Sequence, residues 1–61
     1  MKITLRSARV NANMTQQQVA EALGVTPTVV GQWEKGRQLP RVDKALQLCE
    51  LYGVTVQDIN F

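Results

Sequence analysis

Apolar positions in this chain recur with the spacing of helices, and polar punctuation separates them. Val19, Ala20 and Leu23 stand at i, i+1 and i+4, one face of a helical turn. Thr15 followed by Gln18 forms a capping-box pattern in front of them, and Gly24 behind them tolerates the left-handed conformation that ends a helix. Thr26 then caps a next helix with Pro27 at its first position, where a missing N–H costs nothing, and that helix is predicted to end at Gly36. A fourth runs from about Val42 to Tyr52, with Val42, Ala45, Leu48, Cys49 and Tyr52 on one face, and closes at Gly53. Thr55 with Asp58 caps a short fifth, with Val54 and Ile59 at the staple positions. The first helix is predicted from about Thr4 to Ala12, its face made by Leu5, Ala8, Arg9 and Ala12, with Asn13 as its αL stop.

No useful stretch alternates with period two, although 15 of the 61 residues are β-branched. The pattern therefore predicts an all-α fold: one domain over residues 1–61, five short helices joined by turns of two to six residues. There are no repeats, linkers or low-complexity tracts.

Composition narrows the function. A chain of 61 residues, 44% hydrophobic, buries only about 60% of the surface it would expose unfolded, which argues against an enzyme enclosing its own pocket. With no His and a single cysteine, Cys49, it has neither an internal disulfide nor the usual zinc ligand sets, so no metal and no cofactor is expected. Apolar runs never exceed two residues, which excludes a spanning helix; with no secretory signal after Met1, a cytoplasmic protein without a membrane partner is expected.

The net charge of +2 is unevenly spread. Residues 1–41 carry six basic side chains against Glu21 and Glu34, a balance of +4; residues 42–61 carry Lys44 against Asp43, Glu50 and Asp58, a balance of −2. A polyanion would meet the first two-thirds, leaving the last third for packing or self-association.

Ala20, Gly24, Val30 and Trp33 supply the small contact residue, the turn glycine and the inward apolar residues that two helices crossing at roughly 90–120° require. From Leu5 to Ile59 the chain resembles the lambda-repressor and Cro type of helix-turn-helix family. The resemblance is carried by Thr15-Gln16-Gln17-Gln18-Val19-Ala20, Gly24-Val25-Thr26, Gln32-Trp33-Glu34-Lys35-Gly36 and Leu51-Tyr52-Gly53-Val54-Thr55. It implies a compact lambda-repressor-like domain with the motif at helices 2 and 3. The implied function is sequence-specific binding of a double-stranded DNA operator by a small transcriptional regulator, a repressor, with the second motif helix in the major groove.

Carried onto this chain, the recognition helix is about 27–35, and Pro27, Thr28, Gly31 and Gln32 are the base-contacting positions. Gln32 can bond adenine in bidentate fashion, and Thr28 can make one polar contact or press its methyl on thymine. Pro27 replaces a long polar side chain with apolar contact alone. Gly31 either admits close approach to the groove floor or is a tolerated weak spot in the helix. Thr15 and Gln16, at the start of the first motif helix, are phosphate contacts together with Lys35, Arg37 and Arg41; Arg6 and Lys2 are weaker ones. Arg9 and Glu34 are implied to form a partly buried structural ion pair.

A homodimer on DNA is expected, with Leu51, Val56, Ile59 and Phe61 as interface candidates. No small-molecule ligand is expected, since 61 residues leave no sensing domain unless the chain is a piece of a longer protein. Gly31 and Gly36 followed by Arg37-Gln38 fail as a phosphate loop, lacking the Lys and Ser/Thr. Asp43 and Glu50 read as solvated rather than catalytic, and Cys49 as core. The rival reading is an antitoxin or other protein-interaction module of the same fold, which would not need Lys35, Arg37, Arg41 and Gln32.

Overall fold

The computed structural model describes residues 2–61. Among these residues four helices form: α1 (Leu5–Asn11), α2 (Gln16–Leu23), α3 (Pro27–Glu34) and α4 (Val42–Tyr52). Local chemistry sets their ends. Thr4, Thr15 and Thr26 each sit in extended backbone and accept the amide N–H three residues on, from Ser7, Gln18 and Val29. At Thr15 the box is closed, since its own N–H donates to Gln18 Oε1 at 2.9 Å. Such caps satisfy amides that the first turn leaves without partners. Gly24, at φ 71°, turns the chain out of α2, a conformation that strains any residue bearing a Cβ.

The expected fifth helix is a single 3-10 turn, Val56–Asp58. Three residues cannot develop the i to i−4 ladder of an α-helix, and Asp58 turns back to accept the Thr55 N–H at 3.0 Å. That bond holds the exposed Asp58 carboxyl below the usual carboxylate range. After the turn the chain becomes extended. Ile59–Asn60 (β2) pairs in parallel with Ile3–Thr4 (β1), in the register Ile3 to Ile59 and Thr4 to Asn60. The all-α helix-turn-helix architecture is thus as expected, with four helices among the described residues rather than five and a two-residue parallel pairing of the chain's described ends.

The core lies between the helices. Val19, Val30, Leu48 and Ile59 are its largest completely enclosed side chains, joined by Leu5, Ala8, Ala20, Leu23, Trp33, Cys49 and Tyr52. Each large aliphatic residue so buried contributes roughly 1.5–3 kcal/mol. Ala20, the small residue expected where α2 and α3 meet, is 1% exposed, and the Lys44 ammonium reaches from α4 to the Leu23 carbonyl at the end of α2, 2.8 Å away. Val42, expected on the buried face of α4, is instead 77% exposed. It stands at the first position of the helix, ahead of Leu48, Cys49 and Tyr52, the residues of α4 that are buried. Burial pushes the Cys49 thiol up, with a smaller contribution from Asp58.

Candidate nucleic-acid interface

Val30 and Trp33 are the buried residues of α3, and their anchoring fixes which side of the helix remains free. Pro27 and Thr28 are exposed, Gly31 and Gln32 half-buried. Among the described residues Gln32 makes no side-chain hydrogen bond, so its carboxamide keeps its full donor and acceptor capacity.

Behind this face lies a charged network. Arg9 Nε donates to Glu34 Oε2 at 2.6 Å and its Nη2 to Oε1 at 3.4 Å, while Nη1 donates to the Met14 carbonyl at 2.9 Å. The two side chains are only 13% and 6% exposed. Hydrogen bonding to Glu34 raises the guanidinium above its usual value, against the opposing effect of burial. Gln16 joins the network, its Nε2 donating to Glu34 Oε1 at 3.0 Å. One carboxylate thereby ties α1, the start of α2 and the end of α3 together. The bond from Gln16 is not legible from spacing, because it depends on the angle at which α2 meets α3.

The positions expected at phosphates fall into two groups. At the start of α2, Thr15 is exposed and its oxygen accepts the Gln18 N–H; the N–H groups of Gln16 and Gln17 find no backbone acceptor among the described residues. Lys35, Arg37 and Arg41 lie beyond the last turn of α3 and are all exposed. Lys35 and Arg37 form no ion pair among the described residues, and Arg41 is 3.9 Å from Asp43 with both side chains open to solvent. Of these positions Gln16 and Lys35 line a common cleft of about 340 Å³, together with Arg6, Arg9, Gly31 and Glu34.

The four residues expected at a dimer interface do not share one surface. Ile59 is 1% exposed, because its strand pairing with Ile3 turns it into the core; it has no surface to offer a partner. Leu51 lines a shallow depression with Ala22, Leu23, Gln47 and Glu50. Val56 and Phe61 line a different groove of about 330 Å³ with Leu39, Pro40, Val42, Ala45 and Leu46. Sequence reasoning missed Leu39, Val42 and Leu46. The available signal is Leu39, an apolar residue placed between helices with no face on which to bury it. Among the described residues, five of the six exposed large hydrophobic side chains surround this groove, which makes it the principal apolar surface they form.

Among the described residues no cluster of acidic, Cys or His side chains could hold a metal ion, and no helix is long and apolar enough to cross a membrane. Comparison with known proteins supplies the family. A family model described as helix-turn-helix matches residues 5–59. The transcriptional activator BcrR of Enterococcus faecalis is 31% identical over 55 residues, 90% of this chain and 27% of that protein. The cryptic phage CTXphi transcriptional repressor RstR of Vibrio cholerae is also 31% identical over 55 residues, but over 50% of its own length. The uncharacterized transcriptional regulator MJ0272 of Methanocaldococcus jannaschii is 34% identical over 59 residues, 97% of this chain and 89% of that protein. The chain thus spans about a quarter and a half of the first two relatives. No solved structure matches it.

Proposed function

The chain belongs to the helix-turn-helix family matched over residues 5–59, and on that premise we propose that it is a sequence-specific double-stranded DNA-binding transcriptional regulator. It acts in the cytoplasm as a binding protein rather than an enzyme. The observation that carries this reading is the pairing of an unbonded Gln32 on the free face of α3 with Lys35 and Arg37, unpaired cations immediately beyond it among the described residues.

α3 enters the major groove, where Gln32 presents donor and acceptor together to an adenine edge and Thr28 supplies a shorter polar or methyl contact. Pro27 and Gly31 contribute backbone and apolar surface. Thr15 and the free amides at the start of α2 take a phosphate on one side, and Lys35, Arg37 and Arg41 take phosphates on the other. The Arg9–Glu34 pair contacts no base; it holds the motif against α1. Repression is the favoured mode, since occupying an operator blocks its use without a further surface.

Two copies bind together. The molecule measures 28 × 23 × 19 Å, so two packed side by side can address half-sites about 34 Å apart, one turn of DNA. The apolar groove between Leu39, Val42, Leu46, Val56 and Phe61 is the surface proposed to join them.

Selection of duplexes from a random pool tests the reading directly. The expected product is a two-fold symmetric site with half-sites near one helical turn apart, whereas an unenriched pool overturns it.

A further inference from the structure

Three of the four glycines are required by the backbone: Gly24, Gly36 and Gly53 hold φ between 70° and 74°. Gly31 is not. It lies inside α3 without a positive φ, where glycine is the poorest residue after proline. Nor does packing exclude a side chain. A Cβ built there would meet only the Gln16 carboxamide, with Nε2 at 3.6 Å and Oε1 at 3.8 Å, ordinary van der Waals distances that alanine would satisfy.

Neither the fold nor its neighbours account for the residue, and its surroundings point outward. Pro27, Thr28 and Gly31 give the free face of α3 low relief, and Gln32 is its first long side chain. A short side chain such as Thr28 reaches a base edge only if the helix backbone itself comes close, and position 31 flanks Thr28 one turn further along α3, on the side away from Gln32. The wall beside Gly31 is also fixed, because the Gln16 carboxamide is held by Glu34, which is held in turn by Arg9.

We propose that Gly31 is a specificity-determining residue: its bare backbone lets α3 seat deep enough for Thr28 and Gln32 to read bases together. This rests on the DNA-binding reading. The consequence is a split between stability and recognition at one position. Adding a methyl group strengthens the helix and holds it away from the groove floor, while contacts to phosphates outside the groove persist.

The test compares Gly31→Ala with the wild type in thermal unfolding and in titrations of two duplexes: the site that the wild type selects from a random pool, and a random sequence of equal length. The expected result is a melting temperature higher by about 4–8 °C, an affinity for the selected site lower by at least about fivefold, and unchanged affinity for the random duplex. Repeating the comparison in a Gln16→Ala background shows whether the methyl acts on the DNA or by displacing that carboxamide; the loss is expected to persist. Retention of selected-site affinity within about twofold, a fall in melting temperature, or a loss that vanishes in the Gln16→Ala background would each overturn the proposal. A wild-type protein that prefers no sequence overturns the underlying reading as well, and is recognised before any variant is made.

Discussion

Arg9 and Glu34, 25 positions apart in the chain, meet through a hydrogen bond of 2.6 Å in a setting that leaves the carboxylate side chain 6% exposed. Truncating the arginine would strand that carboxylate with Gln16 as its one remaining side-chain donor among the described residues. Arg9→Ala is therefore expected to cost about 3 kcal/mol, the consequence of leaving a buried charge without its counterion. Urea denaturation measures it. A loss below about 0.5 kcal/mol would put the pair among exposed ion pairs of little weight.

Gln32 and Arg37 should separate cleanly in DNA titrations. Gln32→Ala is expected to lose about 1–3 kcal/mol per half-site on the selected duplex and almost nothing on random DNA, since a bidentate base contact exists only at the right base. Arg37→Ala should weaken both and flatten the log–log salt dependence by about 0.9 for each phosphate left without its cation. Equal losses on both duplexes for Gln32→Ala, or an unchanged salt slope for Arg37→Ala, would remove the role in question.

Dimer formation is tested at the groove rather than in the core. Leu46 is more than half exposed and lines the groove on α4, so Leu46→Asp should leave the monomer fold intact while placing a charge in the joining surface. Cooperative binding to the two-half-site duplex should be lost, with single-half-site affinity retained. Undiminished cooperativity would exclude this surface. Ile59→Asp, by contrast, should unfold the protein, because that residue is in the core.

The single tyrosine reports on the interior near the ion pair. Burial, reinforced by the Glu34 charge and opposed by Arg9, pushes the Tyr52 phenol up to about 12. The folded state thus disfavours the phenolate, while the unfolded chain ionises near pH 10. The stability this confers is complete below about pH 10 and is lost as pH rises towards about 12, on the order of 2 kcal/mol in all. Ultraviolet titration should show ionisation near pH 12 or together with alkaline unfolding. A midpoint near pH 10 in a still-folded protein would contradict it.

These relationships differ in how far the sequence discloses them. Thr15 with Gln18, and Thr26 with Pro27, mark helix starts because capping is chemistry between residues a few positions apart. The free face of α3 follows once Val30 and Trp33 are read as inward. Contacts made across the fold leave no such trace. The Lys44 bond to the Leu23 carbonyl joins α4 to the end of α2, and the Gln16 bond to Glu34 depends on a crossing angle. Ile59 reads as apolar, but nothing nearby in the sequence names Ile3 as its partner, since two residues of strand are too few to show a period. The staple pattern pairs it with Val54 alone, so its enclosure against Ile3 is invisible to pattern, and the expectation of an interface position gives way to a core one.

The pairing of Ile3 with Ile59 gives the chain the character of a ring closed by a short clasp. Helices can grow from local contacts, but the clasp joins residues almost a full chain length apart and bears the largest loop-closure entropy in the molecule. It should therefore form late in folding, and because Ile59 is one of the most enclosed core side chains its opening should accompany global unfolding. Because Ile59 is both half of the clasp and part of the core, slack at either end is felt by the helices it encloses. Amide exchange at Asn60 would follow that opening, and a short peptide joining the two ends should slow it without touching the face of α3.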